Sequence, residues 1–262
     1  MKLAVSDIAW DRSRDEWMYG YLAEQGITGL EAAPTCLFPD SPYGKLTEAA
    51  ALRHRLWSSY RLQVVSLQSI WYGRQERLFG TEEERCSLLE YTKQAIDFAA
   101  ALECPNLVFG SPKNRVRGDA SRELALDFFG EAGEYARQHG IVLALEANPA
   151  IYGTDFINHT AEAFSLAAEV GSVGIAVNLD LGTMTENDEE TAVLPADGIG
   201  IHHVHLSEPY LAVPVSRPLH KAVAVFLRQV DYAGYVSLEM KRPAKEAELL
   251  AALSYLSEVF GK

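Results

Sequence analysis

Apolar residues along this chain fall into two alternating rhythms. Short, nearly continuous runs rich in branched apolar residues read as buried strands; in order they are LAVSDIAW, ITGLEA, LQVVSLQS, NLVFG, IVLALE, GIAVNLD, GIHHVH and GYVSLE. Between them lie longer helix-like segments, including LTEAAALRHRLWSSY, ELALDFFGEAGEYARQHG, TAEAFSLAAEVG, a short NDEETAVL, RPLHKAVAVFLRQV and PAKEAELLAALSYLSEVF. Two further helices announce their starts with S/T-x-x-E capping boxes, Ser13 with Glu16 and Thr81 with Glu84. The first is expected to end near Gly26 and the second towards Cys104, where Pro105 helps to stop it.

Strict strand–helix alternation calls for a parallel sheet. Eight such units, at about 33 residues each, predict closure into a (β/α)8 TIM barrel, read here as a single domain over residues 1–262. The competing arrangement, an open doubly wound sheet binding a dinucleotide, lacks its GxGxxG after strand 1. In the barrel, function belongs at the C-terminal ends of the strands.

Composition narrows the partners. A formal charge of −13 argues against a nucleic-acid surface, which needs clustered cations to neutralise phosphates. No segment is long and apolar enough for a membrane span, and MKLAVSDIAW is too short and polar for a signal peptide. Cys36, Cys86 and Cys104 form no CxxC pair and are expected to be reduced thiols in a cytoplasmic protein. A homo-oligomer is compatible with all of this.

The chemistry lies where the last four strand-like runs stop: at Glu146, Asp180, His205 and Glu239. On parallel neighbouring strands these side chains meet at one rim. Three carboxylates in a partly dry site call for a cation, and an oxygen-rich set with one imidazole suits Mn²⁺ or Mg²⁺, with Co²⁺ and Zn²⁺ also able to fill it. Strand alternation puts His203 one layer below His205 as a core histidine and turns His202 towards the helices. Glu31, Gln68, Asn148 and Glu208, at or just past other strand ends, are candidate contacts for a hydroxyl-rich substrate. Trp71 and Tyr72 are candidates for an aromatic wall or for packing over the mouth. Lys113 with Arg115, and Lys241 with Arg242, either hold an anionic substituent or are solvated.

The motifs LEAN, NLDLG, HHVHLSE and VSLE resemble those of the xylose isomerase-like barrel superfamily, most sharply between Glu146 and Glu239. That superfamily includes sugar isomerases, ketose 3-epimerases, inosose dehydratases and the endonuclease IV group. The resemblance to the ketose-epimerase branch implies that Glu146, Asp180, His205 and Glu239 are the ligands of one divalent ion. The chain departs from that branch at Thr183, where a histidine often follows the aspartate by three residues. Because strands 5 and 8 lie across the mouth from each other, Glu146 and Glu239 are the expected acid and base. One takes a proton beside the carbonyl to form an enediolate, and the other returns it. Isomerisation or epimerisation of a carbohydrate is the expected outcome; loss of a β-hydroxyl, as in dehydration of an inosose-type polyol, would use the same residues. An endonuclease would need more histidines and a basic face, and a non-catalytic ligand-binding barrel would have no need of paired acids.

Overall fold

In the computed structural model, which describes residues 1–261, the eight apolar runs form one closed parallel barrel. The strands are β1 (Lys2–Ser6), β2 (Gly29–Ala32), β3 (Gln63–Leu67), β4 (Asn106–Phe109), β5 (Val142–Glu146), β6 (Ile175–Asp180), β7 (Ile201–Leu206) and β8 (Tyr235–Leu238). Each pairs with the next, and β8 closes on β1 through Lys2↔Tyr235 to Val5↔Leu238. The helices are α1 (Asp15–Glu24), a single turn α2 (Pro34–Leu37), α3 (Leu46–Tyr60), α4 (Glu82–Leu102), α5 (Glu123–Gln138), α6 (Thr160–Val170), α7 (Leu181–Glu186), α8 (Pro218–Gln229) and α9 (Glu246–Phe260). Among the described residues no helix is long and apolar enough to cross a membrane.

The apolar core lies between barrel and helices. In β5, Leu143 and Leu145 take the face opposite Ala144 and Glu146, and all four are buried, as expected for a strand covered on both sides. Against such outward leucines pack helix residues such as Phe98, Phe129, Leu166 and Leu256. The Thr81–Glu84 capping box forms as the sequence predicts: Thr81 Oγ1 accepts from the Glu84 amide at 3.3 Å, and Glu84 accepts from the Thr81 amide at 2.8 Å. The Ser13–Glu16 box does not. Asp11 takes the capping role by accepting from the Ser13 amide, while Glu16 pairs with Arg55 and Tyr60 of α3. After β6 the helix starts earlier than NDEETAVL, directly at Leu181, because the Asp180 side chain caps it through the Thr183 amide.

Two irregularities bend the interior pattern. The register slips by one residue in β3, between the pairs Leu30↔Val64 and Glu31↔Ser66, and in β7, between Val177↔Ile201 and Asn178↔His203. The second overturns the expectation for His202: instead of facing the helices, its Nδ1 lies 2.8 Å from Asn106 Oδ1 on β4, across the barrel. The interior is therefore polar along much of its length. From His202 the chain of contacts runs through Asn106 and Ser66 to Glu31, and from there to His205.

Candidate active site

The C-terminal mouth brings Glu146, Asp180, His205 and Glu239 together, with one ligand-capable atom from each lying within 4.8 Å of the others. Register explains this directly: Asn178 pairs with Glu146, His205 pairs with Asp180, and Ser237, two residues before Glu239, pairs with His205. His205 Nδ1 stands 3.0 Å from Glu146, 3.1 Å from Glu239 and 3.8 Å from Asp180. Its other nitrogen, Nε2, lies 2.9 Å from Glu31. The imidazole is thereby turned with Nδ1 towards the mouth.

Each carboxylate is held by its own partners. Glu146 accepts from Asn178 at 2.7 Å and from Asn148 at 2.9 Å. Gly110 leaves it room, since a Cβ at that position would lie 2.7 Å from Glu146 Oε2. Asp180 accepts from the Thr183 amide and from the Ser207 hydroxyl. Thr183 points away from the mouth and donates to the Ala147 carbonyl at 2.7 Å, bracing the residue next to Glu146. Arg115 is fully buried: it donates to the Glu146 carbonyl at 2.8 Å and lies over the Phe109 ring. It supports the strand end rather than offering a solvated charge, and burial lowers its pKa to about 10.

The electrostatics are those of a site short of positive charge. Burial and the charge of Glu146 push Asp180 up to about 6. Burial, with Glu146 and Asp180 adding to it, pushes Glu239 up to about 7. Burial alone would lower His205, but Glu239, Glu31 and Glu146 around it raise it well above the usual imidazole range. The donor set of three carboxylates and an imidazole fits a hard or borderline divalent cation, and without one Asp180 and Glu239 hold their protons more tightly than ordinary carboxylates do.

A pocket of about 230 Å³ opens above these residues and is lined also by Gln68, Asn148, Tyr152, Ser207 and Glu208. Gln68, Asn148 and Glu208 thus sit where the sequence places them. Glu208 is paired fork-to-fork with Arg217, at 2.7 and 2.6 Å, so its charge is matched locally. Other candidates are elsewhere. Glu31 is 0% exposed and lies below His205, accepting from Ser66 and Ser237, so it meets the metal-capable imidazole and not the pocket. Lys113 is exposed on the loop after β4 and does not line the pocket. Lys241 is also exposed, and Arg242 pairs with Asp11 outside the mouth. Of the proposed aromatic wall, Trp71 is buried against Phe109 and Phe128, whereas Tyr72 is 70% exposed. Sequence reasoning overlooked Asn178, Ser207, Ser66 and Ser237. Asn178, Ser66 and Ser237 lie two residues before Asp180, Gln68 and Glu239, and period-two alternation would have put them on the same inward face.

Residues 20–259 match the family described as xylose isomerase-like TIM barrel. No curated protein matches the chain. Among solved structures, D-psicose 3-epimerase from Clostridium cellulolyticum H10 superposes with a TM-score of 0.78 at 17% identity, covering 99% of both chains. The 3-keto-D-glucoside 4-epimerase from E. coli gives 0.76 at 20% identity, covering 98% of this chain and 99% of that one. An AP endonuclease, family 2, from Brucella melitensis gives 0.74 at 20% identity over the same shares. At these identities the likeness is one of fold.

Two outcomes follow for metal binding. Asp180 and Glu239 are raised above their unfolded values, so between the ordinary carboxylate range and about pH 7 these two groups hold more protons in the metal-free folded chain than in the unfolded one. The stability they contribute therefore falls as pH rises through that window, while a cation needs both groups ionised and the imidazole nitrogen free. The Tm gain on adding Mn²⁺ should thus be small near pH 5 and grow to pH 8; a gain independent of pH would contradict this site. Glu31→Gln keeps an acceptor for His205 Nε2 but removes its charge, and should weaken Mn²⁺ binding by about 10- to 100-fold in a titration of the folded variant.

Proposed function

Because the chain belongs to the xylose isomerase-like TIM-barrel family, we propose that it is a divalent-metal-dependent sugar isomerase or epimerase with Glu146 and Glu239 as its acid–base pair. One observation carries this reading: the two carboxylates approach the same imidazole nitrogen from β5 and from the end of β8, at 3.0 and 3.1 Å, at the floor of the mouth pocket. Glu146, Asp180, His205 and Glu239 would hold the ion. When bound, it supplies the Lewis acidity that makes the carbon beside a ketose carbonyl acidic and stabilises the enediolate.

The protein's own groups do the rest. One glutamate removes the proton from the carbon beside the carbonyl, and the other delivers a proton to the opposite face, inverting that centre. Asn178 and Asn148 hold Glu146 at both oxygens, and Glu239, buried just past the end of β8, stands within 3.1 Å of the same imidazole nitrogen. Asn148 Oδ1 is buried without a partner, and a substrate hydroxyl would satisfy it. Gln68 and the Glu208–Arg217 pair present further donors and acceptors at the rim. The solved neighbours described as a ketose 3-epimerase and a keto-glucoside 4-epimerase carry out inversions of this kind, which favours epimerisation of a carbohydrate here.

The substrate of this reading carries no phosphate. None of Lys113, Lys241 and Arg242 lines the pocket, Arg115 is spent behind Glu146, and Arg217 is spent on Glu208. The loops after β7 and β8, SEPYLAVPVSRP and MKRPAKE, have no glycine to bring backbone N–H groups onto a phosphate.

Glu146→Gln and Glu239→Gln should each lower kcat by at least about 10²-fold while metal content, measured alongside, is retained in part. Solvent deuterium should enter the carbon beside the carbonyl in the wild type. Near-wild-type exchange in both metal-loaded variants would refute the two-glutamate mechanism. For charge, kcat/KM should favour a free ketose over its phosphate. A preference of about tenfold for the phosphate, worth about 1.4 kcal/mol, would refute the neutral-substrate claim.

A further inference from the structure

The pocket over the four ligand candidates accounts for only part of the barrel mouth. Its walls come from the ends of β3 to β8. The remaining sector, above β1 to β3, holds a larger cleft of about 850 Å³ between the loop of residues 33–44 and the loop of residues 69–74. The two spaces share one residue, Ser69, which lines both. Ser69 takes a left-handed φ of 54°, and its hydroxyl reaches back to Gln68 Oε1 at 3.3 Å. A non-glycine residue held in this conformation is uncommon and marks an over-determined turn.

That turn is anchored from below. Trp71 donates to Thr92 at 2.9 Å and packs edge-on against Phe109 and Phe128, and the Tyr72 amide closes the turn onto the Ser69 carbonyl. The effect is to present the Tyr72 ring to the cleft, largely exposed, on a rigid base. The other walls carry Thr35, Ser41 and Gln94. The only ionisable guanidinium or ammonium group in the lining is Arg74, and its charge is used. It bonds Glu76 and Ser87 and lies over the Tyr91 ring at 4.6 Å. An exposed aromatic face with hydroxyl and amide groups around it, and no free charge, is the chemistry that receives an uncharged sugar ring.

We infer that the substrate is a ketose carrying an uncharged second sugar, with the reacting carbons in the small pocket and the second ring passing over Ser69 into the cleft against Tyr72. This rests on the epimerase reading above and narrows its substrate class. Size agrees with it. The small pocket alone is below the range of about 300–1,000 Å³ usual for larger ligands, whereas the cleft beside it has room for a second ring.

The test compares fructose with three disaccharides that contain it and leave its carbonyl free: lactulose, leucrose and isomaltulose, which carry the second sugar on different hydroxyls. Deuterium entry beside the carbonyl is followed by NMR with Mn²⁺ present. At least one disaccharide should be exchanged with kcat/KM tenfold or more above that of fructose. Gly44→Trp provides the control, because Gly44 lines the cleft and not the small pocket, has open space where a side chain would begin and no left-handed φ. It should remove the disaccharide preference and leave the fructose rate unchanged. Fructose exchanged as fast as or faster than every disaccharide, or a preference that survives Gly44→Trp, overturns the cleft assignment and leaves the epimerase reading standing. Exchange on none of the four sugars by the metal-loaded wild type overturns both.

Discussion

Glu31, Glu146, Asp180 and Glu239 crowd together in and just above this barrel, and they can coexist there because His205 stands between them. Glu31 faces one nitrogen of the ring from below, and Glu146 and Glu239 face the other from above. An isolated carboxylate in such surroundings would be costly and would hold its proton. Glu31 instead stays well below the usual range, because His205 and His203 outweigh its burial. The ring therefore divides the interior into two layers with different habits. The lower carboxylate is satisfied by protein groups alone, and the upper set is left wanting a cation.

The rest of the interior supports that division. Ser66 and Ser237 donate to Glu31 from the strands beside and across from it, so its two oxygens are occupied before His205 is considered. Above, Asn178 links Glu146 to His205, and Ser207 ties Asp180 to the turn that starts α7 through the Gly182 amide. Networks of this kind are stiff only when every member is paired. Two of the buried atoms left unpaired, Asn148 Oδ1 and Asn178 Oδ1, belong to residues that bond Glu146, which is where a substrate or an ion would be expected to complete the set.

Much of this was legible in the chain, and the limits have physical causes. The alternation of runs predicted the barrel, and the acids and imidazole at the strand ends predicted which side chains would meet, since the C-terminal ends of parallel neighbours share a rim. What could not be read were effects that exist only after closure. Glu31 resembles any other strand-end acid until β7 and β8 come round to place His205 and Ser237 against it. Arg115, in a polar loop, has the composition of a solvated residue, but the loop folds over the end of β5 and buries it. Arg217 lies nine residues beyond Glu208, across an irregular loop whose path no periodicity describes. The helix after β6 was misplaced because Asp180 acts both as a member of the rim and as a cap, and only the second role fixes where the helix starts.

The slip in β7 has a consequence for how such a protein can change over time. The extra residue lies below the pairs Asn178↔His203, Leu179↔Val204 and Asp180↔His205, so the register of the mouth is set independently of it. Loss or gain of a single codon at that point would redirect His202 and its contact with Asn106 while leaving His205 opposite Asp180. The two levels stay in contact through Asn106, Ser66 and Glu31, but the strand pairing at the mouth does not depend on the residue below it.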